Sequence, residues 1–267
     1  MLTTALLAAL AAAAAWVAWQ LRRRAVVLEA RLARATRELE ALQKAFSRFA
    51  PADVVEDIVA QGVSTTPATK EVTILFADLK GFTPLAERLD PGTLVPILNG
   101  YFEEMGRALA AHRGHLAKFI GDGLLAFFGG LEPNPWQTND ALHAALAMRA
   151  ALTEYNARLG ARRLPRLAVG IGIHRGPVVA GVLGTAELME YGVIGRTVNL
   201  AARIEDLTRV HDVDILVSDA VRVRCDARFR LRPMPPVDVK GLAGPLATFA
   251  LDGVDDEARR PAPMPAP

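Results

Sequence analysis

Two aspartates in this chain stand where a divalent cation could be held. Asp78 closes an apolar, β-rich run, Val72-Thr73-Ile74-Leu75-Phe76-Ala77, and a Gly-Phe-Thr turn follows it within EVTILFADLKGFT. The run reads as a buried strand. A carboxylate at the mouth of a core strand, beside a loop of free backbone N–H groups, suits a metal bound to phosphate. Asp is also common in turns, so a plain turn cap is the competing reading. Asp122 lies in KFIGDGLLAFF, which reads as strand, Gly-Asp-Gly turn, strand: a hairpin with a carboxylate at its tip. Laid beside the first strand, the hairpin would bring Asp122 to Asp78. Two close carboxylates repel unless cations lie between them. One or two Mg²⁺ ions, completed by substrate phosphates, would serve.

Three more polar residues extend the pattern. Asn199 and Arg203 are four apart in a segment, 197–207, that reads as a helix, so they share a face. Lys240 lies in Val237-Asp238-Val239-Lys240-Gly241. Taken singly, Arg203 and Lys240 also read as solvated surface charges and Asn199 as a helix-terminus cap.

FADLKGFT, KFIGDGLLAFFG and VIGRTVNLAARIE, in that order, resemble the catalytic domain of class III nucleotide cyclases. The likeness runs from about Lys70 to about Leu251. It implies an α+β fold with a ferredoxin-like, split-βαβ core. It also implies conversion of a nucleoside triphosphate to a 3′,5′-cyclic monophosphate and pyrophosphate, by in-line attack of the ribose 3′-oxygen on the α-phosphate. On this resemblance Asp78 and Asp122 match the two metal-binding aspartates of a site for two Mg²⁺ or Mn²⁺ ions. The turn from Leu79 through Gly81 and Phe82 to Thr83 supplies backbone contacts to metal and phosphates. Asn199 matches the residue that positions the ribose, and Lys240 the one that grips the terminal phosphates. Arg203 matches the transition-state arginine, whose planar, always-charged fork suits a phosphoryl group.

Base choice rests on two positions. Lys118 matches the lysine that donates to the adenine ring nitrogen, where guanine-using relatives carry Glu. Adenine N1 accepts a hydrogen bond, whereas guanine N1 carries a proton and needs an acceptor. Gly192 stands where relatives place Asp or Thr, so the adenine amino group loses a side-chain partner. Arg196 departs from the Asp common in relatives. ATP is the expected substrate; a guanylate or mixed-specificity cyclase is the nearest alternative, and a catalytically silent nucleotide-binding module the alternative of another class. In this family the metal aspartates come from one catalytic domain and the Asn, Arg and base-reading Lys from another. One chain carrying the full set is therefore expected to act as a homodimer with two equivalent interface sites.

The elements that must position these residues follow in order. Leu2 to Trp19 is an uncharged Ala- and Leu-rich run of 18 residues, followed by Arg22, Arg23 and Arg24. It reads as a short single-pass membrane helix, with Trp16 and Trp19 at the interface and the C-terminal side cytoplasmic by the positive-inside rule. A cleaved signal peptide is the rival, but it requires a basic n-region that Met1-Leu2-Thr3-Thr4 lacks. This anchor predicts an inner (plasma) membrane location with almost nothing left outside. Leu21, Ala25, Leu28, Leu32, Ala35, Leu39, Leu42, Phe46 and Phe49 then alternate at spacings of four and three. That pattern predicts a parallel coiled coil, against a lone amphipathic helix. The expected division is 1–20 transmembrane helix, 21–50 coiled coil, 51–69 coupling segment and linker, 70–252 catalytic domain and 253–267 disordered tail. Thr83 and Asp90, each followed by Pro, read as N-caps. Gly176 and Gly181 read as breaks in the backbone after a strand at 167–174.

Composition closes off other classes. A net charge of +2 gives no basis for bulk nucleic-acid binding. The single Cys225 excludes an intrachain disulfide and a cysteine-based zinc site. The five histidines, 112, 115, 143, 174 and 211, show no metal-ligand spacing.

Overall fold

A period-two alternation through the first strand, β1 (Ala68–Leu79), sorts its side chains onto two faces. Leu75, Ala77 and Leu79 enter one buried cluster, and Val72 and Ile74 enter another. The computed structural model describes residues 67–131, 133–184, 189–239 and 244–255, with helical residues at 16, 19–20, 22–24, 28–29 and 31–38. Two compact units result, Met1–Val63 and Ser64–Pro267.

In the second unit β1 is flanked on both sides by antiparallel partners. The hairpin of β2 (His115–Ile120) and β3 (Gly123–Phe128) lies on one side, with Ala77 opposite Leu124. The long β4 (Val169–Gly184) lies on the other, with Asp78 opposite Gly170. β5 (Met189–Ile194) pairs with the distal half of β4. β6 (Ile215–Ser218), β7 (Phe229–Pro233) and β10 (Thr248–Val254) extend the sheet in the order β2-β3-β1-β4-β6-β10-β7. β8 (Val237–Asp238) and β9 (Pro245–Leu246) form a separate ribbon. The β2-β3-β1-β4 arrangement is the split-βαβ core expected from the sequence.

Helices cover both faces. After the short α1 (Phe82–Ala86), α2 (Pro91–Ala111) and α3 (Gln137–Ala161) bury Tyr101, Met105, Leu142 and Met148 against Leu75, Ala77 and Phe128. Asp90 caps α2 as predicted, accepting from the Thr93 N–H at 3.1 Å with Pro91 as the first helical residue. The predicted cap at Thr83 is corrected: the cap is Gly81, two residues earlier, at φ 68°. The left-handed region reverses the chain there without a side-chain cap.

The opposite face carries α4 (Arg196–Val210), which lies directly on β4. A Cβ at Gly172 would come within 2.2 Å of the Glu205 amide nitrogen, and one at Gly176 within 2.9 Å of Thr197 Oγ1. These glycines let two backbones approach; they do not break the strand. The predicted interruptions at Gly176 and Gly181 are therefore corrected, since β4 continues through both. α5 (Asp219–Arg222) completes the helices.

His174, also on β4, holds Ser218 Oγ at 2.8 Å, and burial pushes its imidazole down to about 4 from an ordinary 6.5. The unfolded chain then takes up a proton between those pH values that the folded chain refuses. The stabilising term is complete above pH 6.5 and is lost as pH falls towards 4, amounting to about 3 kcal/mol. His174→Gln keeps a polar partner for Ser218 but cannot titrate. Its Tm should fall less steeply than the wild type's between pH 6.5 and 4; parallel curves would refute this role.

In the first unit the described residues are helical. Leu28 and Leu32, two predicted seam positions, are 64% and 70% exposed in the single chain. The membrane helix predicted for 1–20 falls outside the described residues except at Trp16, Trp19 and Gln20, and most of the predicted seam and the 51–66 segment fall outside as well. Among the described residues no helix is long and apolar enough to cross a membrane.

Candidate active site

Asp78 leaves β1 on the α4 face, one residue before the strand ends. Its Oδ1 faces the start of β3, where a Cβ on Gly123 would lie only 2.8 Å away. Gly123 thus clears room for the carboxylate beside the hairpin. Asp122 sits in the two-residue turn just before it, with Gly121 at φ 63° providing the reversal. The predicted meeting of the two carboxylates is present. Burial first, and then the Asp78 charge, raise the Asp122 carboxyl above its ordinary range, while the backbone N–H groups of Asp122 and Leu79 and the Arg209 charge oppose the rise. Burial and a neighbouring carboxylate thus both disfavour charge on Asp122.

Such a donor set fits a hard divalent cation. Mg²⁺ characteristically takes one or two carboxylates and fills its remaining positions with water and phosphate oxygens. Among the described residues no cluster of three or more His, Cys, Asp or Glu could hold a metal by itself. Asp78 and Asp122, with the Leu79 carbonyl, would be the protein's share.

The other predicted residues lie on several elements. Asn199 is exposed and Arg203 half-buried on α4. They share a stripe with exposed Asp206 and Val210, turned away from the sheet-facing Ala201, Ile204 and Thr208. Lys118 is half-buried on β2, just after a bulge between Leu116 and Lys118. Gly192 is buried on β5 opposite Gly181, and a Cβ there would meet the Leu183 Cδ1 methyl at 2.8 Å. Gly81, Phe82 and Thr83 form the turn and first residues of α1 rather than an open loop. Lys240 lies outside the described residues.

Two residues that sequence reasoning missed flank the carboxylates. Arg209 Nη2 donates to Asp78 Oδ2 at 2.5 Å. Glu205, 4% exposed, lies one helical turn before it, and burial pushes its carboxyl up to about 7 against the Arg209 charge. Gly170 makes room for Glu205: a Cβ on Gly170 would come within 2.5 Å of Glu205 Oε1. The i, i+4 spacing of Glu205 and Arg209 was visible in the sequence. Its direction was not, because the face of α4 that meets β4 depends on where the glycines of β4 lie.

Exposed apolar side chains lie at two places, beside the Asp122 turn and at the far end of β1 from Asp78, where Val179 stands opposite Thr69. Phe119 (48%) and Ile120 (47%) stand at the hairpin, and Val179 (42%) and Ile194 (53%) are paired across β4 and β5.

Comparison with known proteins gives the family and the fold. The family model for the adenylate and guanylate cyclase catalytic domain matches residues 65–253. The chain is 38% identical over 207 residues to an adenylate cyclase of Anabaena cylindrica, covering 73% of this chain and 40% of that protein. It therefore spans two fifths of the length of that relative. The crystal structure of the guanylyl cyclase Cya2 is similar at TM-score 0.68 and 32% identity, over 72% of this chain and 97% of that one. The adenylyl cyclase CyaB from P. aeruginosa is similar at TM-score 0.68 and 27% identity, over 72% and 99%.

Proposed function

The chain belongs to the adenylate and guanylate cyclase catalytic-domain family, and on that premise we propose that it converts ATP to 3′,5′-cyclic AMP and pyrophosphate as a homodimer. The observation that carries this reading is the pairing of Asp78 and Asp122 at one sheet end while Asn199 and Arg203 occupy an outward stripe of α4. Each chain then offers two complementary half-sites. Asp78, Asp122 and Leu79 would hold two Mg²⁺ or Mn²⁺ ions. When bound there, the metal supplies positive charge that lowers the pKa of the ribose 3′-hydroxyl and neutralises the phosphate chain. Asn199 of the facing protomer orients the ribose. Arg203 meets the charge that grows on the α-phosphate oxygens in the transition state. Lys118 donates to adenine N1, Lys240 holds the terminal phosphates, and the backbone from Gly81 to Thr83 contacts them from the first protomer.

The exposed Phe119, Ile120, Val179 and Ile194 would be covered in this dimer. The apolar run 2–19 would anchor the chain in the inner (plasma) membrane, with the catalytic unit on the cytoplasmic side. The heptad segment would hold two copies together and raise their effective concentration. ATP is favoured over GTP by Lys118.

The test incubates the full chain, purified in detergent, with ATP or GTP and Mg²⁺ or Mn²⁺, and identifies products by mass. Cyclic AMP as the main product is expected. Cyclic GMP as the main product overturns the base assignment, and no cyclic product from a dimeric preparation overturns the enzyme reading.

A further inference from the structure

Asp78 turns its two carboxylate oxygens to different neighbours. Oδ1 faces the Gly123 end of the hairpin, while Oδ2 takes the Arg209 guanidinium at 2.5 Å. A cation is thus already seated on one of the two carboxylates that would bind metal. The guanidinium is about a third exposed, at 38%, and has other acceptors on its own helix. Its Nη1 lies 3.3 Å from Glu205 Oε1 and 3.4 Å from Asp206 Oδ1. The Glu205 Oε1 atom is buried and makes no hydrogen bond in this state. Arg209 therefore has somewhere to go. Its Nη1 already donates to Glu205 Oε2 and Asp206 Oδ1, at 3.4 Å each, so releasing Asp78 and closing on those two leaves the charge compensated.

We propose that Arg209 is a resident counter-ion of the metal site: it pairs with Asp78 in the metal-free enzyme and is exchanged for the incoming cation, retreating to Glu205 and Asp206. The exchange sets the metal affinity of the empty enzyme and keeps the two carboxylates from repelling each other before substrate arrives. Gly170 is part of the device, because its missing side chain is what lets Glu205 lie beside the Asp78 strand. The proposal rests on Asp78 being a metal ligand.

The experiment measures Mn²⁺ binding to the nucleotide-free full chain by electron paramagnetic resonance, for wild type, Arg209→Met, Arg209→Lys and Asp78→Ala. Removing the competing charge-assisted hydrogen bond in Arg209→Met should tighten binding about tenfold. Arg209→Lys keeps the charge but loses the fork and should tighten it less, which keeps the test open if the methionine variant fails to fold. Thermal melting gives an independent readout: Arg209→Met should melt lower than wild type without metal and gain more on adding Mn²⁺. Asp78-dependent Mn²⁺ binding that is unchanged or weaker in both Arg209 variants overturns the counter-ion role alone. Mn²⁺ binding indifferent to Asp78→Ala overturns both this proposal and the metal-site reading.

Discussion

Asp78→Ala and Arg203→Ala chains, each purified alone, should lose cyclase activity by about a thousandfold, and co-expressed together they should recover about a quarter of the wild-type rate. The single losses follow from chemistry. Without Asp78 the negative pocket at the sheet end is halved, and without Arg203 the transition-state oxygens lose a preformed donor, each change worth about 10²–10³ or more in rate. The recovery follows from symmetry. Random pairing makes half the dimers mixed. In a mixed dimer one interface site collects both damaged halves and the other collects both intact halves. Half the dimers with one of two sites working gives one quarter of the activity. Neither variant has to regain anything, so recovery can come only from exchange of half-sites between chains. A mixture no more active than its components, shown by native mass measurement to contain the mixed dimer, would place Asp78 and Arg203 in a site within one chain. The helix geometry argues against that outcome. Arg203 and Arg209 are six residues apart on α4 and point about a third of a turn from one another. Arg209 is the one at Asp78.

That angular relation also separates what could be read in the sequence from what could not. The positions of Asp78 and Asp122 were legible because each stands at the end of an apolar β-rich run, and a strand end is a local property. Their approach was legible because a hairpin must pair with something. The faces of α4 were legible only in part. Asn199 and Arg203 share a stripe by spacing alone, but which stripe meets the sheet is settled by the opposing strand. There Gly170, Gly172 and Gly176 remove the side chains that would hold the helix away. Read locally, Gly176 signals a break, while Gly170 and Gly172 pass as strand residues. Packed against a helix, they are the bed on which it lies, so β4 runs unbroken for 16 residues. Arg209 was missed for the same reason: it follows the motif-bearing part of α4, and its target is far away in sequence. Of the N-terminal heptad pattern, Leu28 and Leu32 are exposed in the single chain.

Lys118→Glu should reverse the base preference, lowering kcat/KM for ATP about a hundredfold while raising it for GTP. The argument starts from the donor pattern of the bases. A lysine opposite adenine N1 donates into a lone pair; a carboxylate there sets acceptor against acceptor. A site built to hydrogen-bond its substrate rejects a mismatched one by far more than a missing contact costs, because buried polar groups are left unpaired. The effect is held to about a hundredfold because Gly192 offers no second side-chain contact to the base, leaving the lysine to discriminate alone. The bulge just before Lys118 bends the edge strand and re-aims this side chain, so a glutamate is delivered to nearly the same place. Gly192→Thr supplies the converse. Among the described residues only the flexible Leu183 side chain obstructs a Cβ at that position, at 2.8 Å, and a small rotation of that side chain admits it. The added hydroxyl can accept from the adenine amino group, and the ratio of cyclic AMP to cyclic GMP formed from an equimolar mixture of ATP and GTP should rise about tenfold. The same competition assay decides both substitutions. If Lys118→Glu leaves the product ratio where the wild type has it, the base is read elsewhere and the β2 edge is not part of the purine pocket. If Gly192→Thr lowers total rate without moving the ratio, the buried β4–β5 ribbon is serving as a structural support and not as a reader of the base.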